Sequence, residues 1–383
     1  MFINFWYAAE WSHKLGPDPL RLRMLGQDFV LYRDSAGRAH CLANVCVHRG
    51  GSLAGGVVRN DRIQCPYHGW QFDGTGRCLK IPSLGPQGQG RIPGRARVDS
   101  YPVEERYGLI HVFLGDLPEA ERPGIMEIPE FGQAGWYAHC EDSLSEGDFR
   151  RAVENALDPA HNEYVHPTHG FSGERDDYFV PELKVEDRPW GSGFITTYFA
   201  PPLKDERMKQ ATGRAENAVI EAGTFHHGPT NFTTYIRPTG QSRIHQNSFK
   251  TPIDGYRQRS FLVQTRNFLT GPEHDGRFAE RNAAVRNQDI VVLRDLEPRR
   301  APETNQHELL MPADKGVARY REKLHDWEAR GWRIDEAGVQ AGREKSAYVI
   351  PSPGRRAEPK GWVLEPVPLL PARRAAPATA AAS

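Results

Sequence analysis

The alternation of apolar and polar positions predicts a β-rich first third of the chain. Up to about residue 120, short runs rich in β-branched and aromatic residues are separated by Gly, Asp and Asn. Such runs are typical of strands joined by tight turns. The clearest are DFVLYRD, HCLANVC, DRIQCPYH and GLIHVFLG. We therefore expect small antiparallel sheets in this region.

The remainder of the chain mixes helical and strand-like patterns. The helical pattern over 145–166 begins with acidic residues, and two more helices are predicted at about 277–297 and 314–331. The charged segment 203–218 predicts a loop or a surface helix. Between them lie the strand-like runs GFITTYFA, NFTTYIRP, RIHQNSFK and RSFLVQTRNFL. The overall pattern predicts an α+β protein.

Two composition changes suggest where the domains end. The Pro- and Gly-rich stretch 118–135 predicts a linker between two domains. The Pro-, Arg- and Ala-rich end of the chain predicts poor order. We therefore expect an all-β domain over 1–130, an α+β domain over 131–350 and a flexible tail over 351–383.

Composition excludes several classes of function. The 383 residues include 49 basic and 49 acidic ones, so no net charge attracts nucleic acid or a membrane surface. No apolar run approaches a membrane span, and the opening MFINFWYAAEWS lacks the basic start and apolar core of a signal peptide. Two of the five cysteines lie in a metal motif, so an odd number, three, remains for other roles. This odd remainder favours a cytoplasmic protein without disulfides.

Four residues carry the strongest chemical signal: Cys46 and His48 in CVHRGG, then Cys65 and His68 in CPYHGW. Two thiolates and two imidazoles suit either tetrahedral zinc or a Rieske [2Fe–2S] cluster. Zinc fingers usually pair Cys with Cys and His with His, whereas each loop here carries one of each. At these residues the sequence resembles the Rieske proteins. A colourless, zinc-stabilised binding module is the alternative.

A second motif lies in the segment ENALDPAHNEYVH. His161 and His166 would point about 140° apart on an ideal helix, so joint metal binding needs a break or a helix end. Pro167 supplies such an end. Two unrelated histidines near a helix terminus are the simpler alternative.

Asp289 is the best candidate for a third ligand, because it is set in an apolar stripe of the predicted helix. A buried acid there is costly unless a cation offsets it, whereas Asp295 falls on the far side. Two imidazoles and one carboxylate form the facial triad of non-haem Fe(II) oxygenases. The alternatives are a salt bridge from Asp289 to Arg286, and His169 in place of His166. The stripe consists of Phe278, Val285, Val292, Leu293 and Leu296.

In combination, Cys-x-His…Cys-x-x-His and Asp-x-x-His-x₄-His resemble the Rieske non-haem iron oxygenases over roughly 5–300. The layout is similar to vanillate O-demethylase, pheophorbide a oxygenase and aminopyrrolnitrin oxygenase types. The resemblance implies a β Rieske domain and a catalytic domain in which a curved antiparallel sheet and helices enclose the iron, a helix-grip-like arrangement. It implies cluster ligands Cys46, His48, Cys65 and His68, and ligands of a mononuclear Fe(II) His161, His166 and Asp289.

The resemblance also implies a role for one residue that does not bind iron. Asp158 would link the mononuclear site to His68 of the partner subunit, which implies a ring, expected to be a homotrimer. The position of Asn155, one helical turn earlier, would place it near the open face of the iron. A helix salt bridge for Asp158 and a purely structural role for Asn155 are the alternatives.

These features predict a terminal oxygenase that uses O₂ and electrons from elsewhere. The chain lacks a Gly-rich dinucleotide fingerprint, so a ferredoxin, an NAD(P)H-dependent reductase, or both must deliver electrons. We expect hydroxylation or oxidative demethylation of an aromatic or other small organic molecule. The alternatives are a cis-dihydroxylating dioxygenase and a Rieske electron carrier without oxygenase activity.

Aromatic residues between about 190 and 270 are expected to line the substrate cavity and favour a planar substrate. One of the adjacent His226 and His227 could also line it, since neighbours on a strand point to opposite faces. The aromatic residues are Tyr198, Phe199, Phe225, Phe232, Tyr235 and Phe249.

Overall fold

The chain folds into two compact units. The first combines Met1–Pro123 with the residues from Glu322 onward, and the second is Gly124–Arg321. This division differs from the predicted domains, because residues after Glu322 return to the first unit. The residues that this computed structural model describes are 1–199, 201–203, 206–215 and 218–373.

Short antiparallel strands dominate the first unit, as the sequence predicts. Three sheets have the strand orders β1-β11-β10, β2-β3-β4-β9 and β5-β6-β7-β8. The strands are β1 (Phe5–Trp11), β2 (Leu20–Met24), β3 (Gln27–Arg33), β4 (Ala39–Ala43), β5 (Val57–Arg59), β6 (Arg62–Gln64), β7 (Gln71–Phe72), β8 (Cys78–Lys80), β9 (Ser100–Tyr101), β10 (Val103–Arg106) and β11 (Leu109–Leu114).

One apolar cluster of the first unit anchors the two metal-motif loops. Val30, Leu42 and Phe72 are fully buried in it, and Cys46 and Cys65 belong to the same cluster. Burial of apolar side chains is the main favourable term in folding. The backbone on either side of each cysteine is therefore held by the core from which the loops emerge.

The second unit is built on an eight-stranded antiparallel sheet of order β12-β19-β18-β17-β16-β14-β13, with β15 paired to β16. Its strands are β12 (Tyr137–Glu146), β13 (Glu186–Arg188), β14 (Gly191–Gly193), β15 (Thr196–Phe199), β16 (Val219–His227), β17 (Asn231–Arg237), β18 (Ile244–Pro252) and β19 (Arg257–Arg266). Its helices are α1 (Phe149–Ala156), α2 (Asn162–Val165), α3 (Glu206–Thr212) and α4 (Asp275–Leu293). This sheet with helices confirms the predicted α+β class.

The helix predicted over 145–166 is wrong in its bounds. Its first two positions belong to β12, which the sequence reading missed together with β16. The helix begins after Asp148, whose side chain accepts the Arg150 backbone N–H (2.9 Å) as an N-cap. It ends at Ala156, and five residues separate α1 from α2.

The predicted helix 277–297 corresponds to α4, which contacts α1, α2 and β12. Phe278 and Asn282 are its buried residues. The predicted stripe is correct for Phe278, but Val292 is about half exposed (45%). Within the segment 203–218, the described residues form α3 and its flanking loops, and residues 204, 205, 216 and 217 lie outside the described part.

The end of the chain is folded rather than flexible as far as residue 373. Its elements include a two-stranded parallel pairing of β20 with β21. The Tyr101 hydroxyl donates to the Ile350 carbonyl (2.7 Å), and the Arg355 guanidinium pairs with the buried Asp99 carboxylate (2.7 Å). Residues 374–383 of the predicted tail lie outside the described part. The elements are α5 (Lys315–Ala329), α6 (Glu336–Gly342), β20 (Tyr348–Val349), α7 (Pro353–Ala357) and β21 (Glu365–Pro366).

None of the helices in the described part of the chain combines the length and the apolar character needed to cross a membrane.

Candidate metal centres

The two metal-motif loops of the first unit have matching backbone structures. The Cys46 N–H donates to the Gly51 carbonyl and the Cys65 N–H to the Trp70 carbonyl, both at 2.8 Å. Four residues after each cysteine, Gly50 (φ 73°) and Gly69 (φ 71°) take left-handed conformations. Glycine adopts this conformation without steric cost. The repeated Gly of the motif is therefore a requirement of the loop geometry.

Within this pair of loops the thiols are buried and the imidazoles are exposed. Cys46 and Cys65 are 1% and 2% exposed, whereas His48 and His68 lie at the surface. The two imidazole rings are 4.4 Å apart between centroids, and the Trp70 ring stacks on His48 at 4.6 Å. A metal group held here would have a buried thiolate side and a solvent-facing imidazole side.

Burial, reinforced by the neighbouring Cys65 thiol, raises the pKa of the Cys46 thiol to about 12. Two adjacent buried thiols cannot both ionise unless positive charge compensates them. Iron or zinc supplies that charge, and thiolate is the form that binds metal. The two loops therefore suit a metal centre that is bound by thiolate ligands.

The donor types of these loops are those of a Rieske two-iron cluster, which has thiolates on one iron and imidazoles on the other. The buried thiol side and the exposed imidazole side of the loops fit this division of ligands.

The second candidate centre lies in the second unit, at the two ends of the short helix α2. His161 is the residue before its first turn and His166 the residue after its last, with φ −114° and ψ 70°. The non-helical conformation at His166, followed by Pro167, provides the break that the sequence spacing requires. Both imidazoles consequently turn toward the same point.

Three ligand atoms converge there. His161 Nε2 and His166 Nε2 are 3.1 Å apart, and Asp289 Oδ1 lies 3.3 Å from His166 Nε2 and 3.8 Å from His161 Nε2. Metal bonds of about 2.1 Å at right angles would place such atoms about 3 Å apart. The structure thus brings together the three residues predicted as iron ligands, on one face of a common point.

Hydrogen bonds at the other ring nitrogens direct both Nε2 atoms to this point. His161 Nδ1 lies 2.6 Å from the Asp158 carbonyl oxygen, which can only accept, so Nδ1 carries the proton. His166 Nδ1 lies 3.2 Å from Gln288 Oε1, while Gln288 Nε2 donates to the Thr168 hydroxyl. Partners of this kind fix the tautomer and ring orientation of metal-binding histidines.

Asp289 is positioned by Asn155, whose Nδ2 donates to Asp289 Oδ1 at 3.1 Å. Burial alone would raise the pKa of Asp289, but His166, His161 and Asn155 hold it below its usual value. For His161, burial would lower the pKa, but Asp158 and Asp289 raise it above the usual value. The carboxylate is therefore ionised, as metal binding requires.

The alternatives for these residues find no support in the geometry. Arg286 Nη1 lies 3.8 Å from Glu141 Oε1, and no ion pair joins it to Asp289 among the described residues. The His169 ring packs 4.8 Å from the His166 ring but does not enter the converging group. Burial and then Arg281 lower the pKa of His169 to about 3.

Asp158 lies in the bend between α1 and α2 rather than on a helix. Its Oδ1 accepts the Ala160 N–H (2.7 Å), and its Oδ2 is 3.6 Å from His161 Nδ1. Asp158 therefore stabilises the bend that places His161, and it contacts the His161 ring at Nδ1, the nitrogen that does not belong to the converging group.

A cavity of about 360 Å³ opens in front of the three ligand atoms, between α4 and the sheet. All of its lining residues belong to the second unit. Alternate residues of β17, β18 and β19 line it, as expected for one face of a sheet. Its aromatic lining consists of Phe171, Phe194, Phe232, Phe268 and Phe278.

Most of the aromatic residues predicted to line the cavity do not. Phe232 does, but Phe225 and Phe249 are buried elsewhere, Phe199 is 64% exposed, and Tyr235 lies outside the lining. The side chain of Tyr198 lies outside the described part of the structure.

Neither histidine of the adjacent pair lines the cavity. His226 Nε2 bonds with the Ser192 hydroxyl (3.0 Å) and His227 Nε2 with the Gly124 carbonyl (2.8 Å).

Two residues of this site, Gln288 and Lys250, are not among those predicted from the sequence. Gln288, which holds His166, precedes Asp289 directly, so its proximity to the predicted ligand was a usable signal. Lys250 lines the cavity from β18. Nothing in its local sequence distinguishes it from a surface lysine.

Comparison with protein families matches both units. Residues 5–102 match the Rieske [2Fe-2S] domain, and residues 145–330 match the vanillate O-demethylase oxygenase C-terminal domain. The first match contains the four loop residues and the second contains the three converging ligands. A Rieske domain implies a [2Fe–2S] cluster, and non-haem iron oxygenases use mononuclear iron.

Individual relatives support the same assignment as the two domain matches. The chain is 30% identical to the oxygenase component of dicamba O-demethylase from Stenotrophomonas maltophilia, over 78% of this chain and 88% of the relative. It is 39% identical to 4β-methylsterol monooxygenase from Methylococcus capsulatus, over 43% of this chain and 44% of the relative. It spans about half the length of several curated relatives that it matches.

A solved structure of dicamba monooxygenase bound to 3,6-dichlorosalicylic acid superimposes with a TM-score of 0.70 and 25% identity, covering 85% of this chain and 96% of that one. Several of the matching relatives are named as monooxygenases, O-demethylases or other oxygenases, which are oxidoreductases. The donor types of the two candidate metal centres agree with both domain matches. These matches, together with a relative similar over most of its length, establish that the chain belongs to the Rieske non-haem iron oxygenase family.

Proposed function

We propose that this chain is the terminal oxygenase component of a Rieske-type system that hydroxylates or oxidatively demethylates a small organic molecule. The convergence of two Nε2 atoms and one carboxylate oxygen at the mouth of a cavity carries the proposal. An electron carrier would need no such cavity beside its second metal-binding group.

In this proposal Cys46, His48, Cys65 and His68 hold the cluster, and His161, His166 and Asp289 hold Fe(II). When bound, the cluster supplies single electrons, and the mononuclear iron supplies open positions for O₂ activation. The three ligands occupy one face and leave the cavity side open. Asn155 and Gln288 keep Asp289 and His166 in the ligating orientation through hydrogen bonds of 3.1 and 3.2 Å.

Asp158 is proposed to couple the two kinds of centre. Its backbone carbonyl accepts a hydrogen bond from His161 Nδ1 at 2.6 Å, and Asp158 is one of the residues that line the cavity. The family resemblance pairs this residue with His68 of the partner subunit, whose copy in this chain is exposed. We therefore propose a homotrimer in which electrons pass between subunits through Asp158.

Electrons are proposed to come from a separate NAD(P)H-dependent reductase, with or without a ferredoxin. Some relatives bear names of multicomponent systems, such as the toluene-4-sulfonate monooxygenase system iron-sulfur subunit of Comamonas testosteroni. All five cysteines are free, which fits the proposed cytoplasmic location.

The proposed reaction is monooxygenation, including demethylation. Dicamba O-demethylase and 5,5'-dehydrodivanillate O-demethylase are relatives named for demethylation. A phenoxybenzoate dioxygenase subunit is also similar to the chain, so cis-dihydroxylation is the second candidate. Product analysis with ¹⁸O₂ separates them, since a monooxygenase incorporates one labelled atom and a dioxygenase two.

The first test is the iron and acid-labile sulfide content of anaerobically purified protein, together with its visible spectrum. We expect about three irons and two sulfides per chain and a red-brown colour. Two irons that persist after ferrous reconstitution would contradict the oxygenase and leave an electron carrier. A colourless protein would instead point to zinc.

A further inference from the structure

Lys250 places a positive charge inside the cavity of the second unit. Along β18, the alternate residues Ile244, Gln246, Ser248 and Lys250 all line the cavity. The backbone N–H of Lys250 donates to Asn231 Oδ1 (3.2 Å) and holds the residue in the sheet. Its side chain is therefore directed from a rigid strand into the cavity.

The ammonium group of Lys250 has no hydrogen-bond acceptor and no carboxylate within 4.0 Å among the described residues. Its nearest defined contact is the ring of Phe232, whose centroid lies 5.6 Å from Nζ. The charged groups that affect it are Asp289 and Arg286. Burial lowers the pKa of Lys250 to about 8, although Asp289 opposes this shift.

Asp289 is already committed to other partners. Its Oδ1 accepts from Asn155 and lies 3.3 Å from His166 Nε2. A metal ion held by this carboxylate would offset its charge. The other nearby charge, Arg286, is positive and lies 3.8 Å from Glu141. With the metal site filled, the Lys250 ammonium, on a half-buried side chain in the cavity wall, is left without a carboxylate counter-ion.

We propose that Lys250 binds the anionic group of the substrate, so that the preferred substrates are carboxylates or sulfonates on an apolar, aromatic body. The apolar body has surface available beside the ammonium, because Phe232, Leu262 and Val285 line the same cavity. This inference rests on the proposed function, since it treats the cavity as the substrate site. The names of relatives leave the charge of the substrate open, because they include a sterol monooxygenase as well as a toluene-4-sulfonate monooxygenase.

Binding can be measured without turnover, by calorimetry on iron-loaded protein under anaerobic conditions. The anionic probes are 4-methylbenzoate and toluene-4-sulfonate, and the neutral probes of the same shape are 4-methylbenzamide and 4-methylbenzyl alcohol. A charge-assisted hydrogen bond should make the anions bind about tenfold tighter or more. Lys250→Met should remove this preference and leave neutral probes within about threefold of wild type. Lys250→Arg should retain most of the preference, and Lys184→Met, at an exposed lysine, should change nothing.

The midpoint of thermal unfolding of Lys250→Met distinguishes a role of Lys250 in binding from a structural role. Removal of an ammonium that lacks a counter-ion should not lower the midpoint of Lys250→Met, whereas loss of a structural ion pair would. A lowered midpoint with unchanged probe preference would overturn the proposal. So would equal binding of anionic and neutral probes, or no measurable binding of either anion, by the wild-type protein.

The two proposals can fail separately. A protein that prefers the anions but lacks mononuclear iron would keep the anion site and lose the oxygenase function. An oxygenase with the full iron content that binds neutral probes as well as anions would lose only the role of Lys250.

Discussion

The two candidate metal centres are built in opposite ways. All four cluster residues lie between positions 46 and 68, on loops that follow β4 and β6. The mononuclear site joins both ends of α2 to Asp289 on α4, more than 120 residues further along the chain. The candidate cluster loops present imidazoles to solvent, whereas the candidate mononuclear site opens inward to a cavity. In the proposed function, the first would receive electrons at the surface and the second would hold a substrate.

The hydrogen bonds that support the two centres differ in kind. Backbone bonds of 2.8–3.0 Å shape both cluster loops, and these tolerate side-chain changes. Side chains such as Asn155 and Gln288 hold the mononuclear ligands. Single side-chain substitutions should therefore disturb the mononuclear site more selectively than the cluster.

The largest expected effect is at the cluster. Cys65→Ser removes a buried thiolate ligand, so the protein should lose its red-brown colour and retain about one iron per chain. Reductase-driven activity should be abolished, because electrons no longer enter. Optical spectra and iron analysis check this, and a variant that keeps the visible spectrum would contradict the assignment of Cys65.

Asp289→Ala should produce the complementary loss. The variant should retain colour and two sulfides but fall from about three irons to two. Its activity should drop at least about 100-fold, the upper end of what loss of an outer partner of a ligand costs. Asp295→Ala, at an exposed acid beyond the end of α4, is the matched control and should keep full iron. Equal iron in both variants would remove Asp289 from the ligand set.

The long-range construction of the second unit should also be visible in its stability. Glu154 on α1 accepts two bonds from Arg321 (2.8 and 2.9 Å), and both side chains are buried. Glu154→Gln removes one carboxylate from Arg321 and leaves Glu308 (2.6 Å) as its remaining charge partner, at an expected cost of about 1–3 kcal/mol. In urea, this variant should release mononuclear iron well before the colour of the cluster fades. If iron release and loss of the cluster colour occur at the same urea concentration, the two centres do not depend on separate parts of the fold.

Glu303→Gln is the control for this change. Glu303 pairs with Arg150 at 3.0 Å but is 55% exposed. An exposed pair contributes only about 0–1 kcal/mol. The urea midpoints of this variant should therefore stay close to those of wild type.

A smaller effect is expected from Asn155→Ala, which removes the hydrogen bond to Asp289 Oδ1 and no ligand. Loss of such a partner typically weakens metal binding about 10–100-fold. Competition with a ferrous chelator should reveal weaker mononuclear iron with an unchanged cluster spectrum. Iron affinity equal to wild type would make Asn155 merely structural.

The smallest expected effect is a pH dependence confined to the second unit. Glu141 raises the pKa of His139 above its usual value, burial opposes this, and Asp275 adds to the increase. A raised folded-state pKa stabilises the fold fully below the unfolded pKa of about 6.5, and this contribution is lost as pH rises through the folded value.

His139→Gln should therefore flatten the decline in thermal stability of wild type between mildly acidic and alkaline pH. The cluster spectrum, followed in the same melts, serves as the internal control. A variant with the same pH profile as wild type would remove His139 from this linkage.

What the sequence determined by itself was local. The Cys-x-His and Cys-x-x-His spacings predict a complete set of cluster ligands, because residues two or three apart on one loop necessarily lie close together. The apolar stripe of α4 singled out Asp289 over Asp295, since helical periodicity needs no knowledge of the partner surface. The spacing of His161 and His166 predicted a bulge or a helix end at these residues, with Pro167 as the end, although not that α1 would already end at Ala156.

Only the tertiary structure decided which groups face the cavity. Phe249 and Lys250 are neighbours on β18 and therefore point to opposite faces of the sheet. The sequence reading expected the phenylalanine in the cavity, but the structure buries it elsewhere and directs the lysine inward. A two-residue period separates the two faces without saying which one packs against α4, and only the packing of the whole sheet makes that choice.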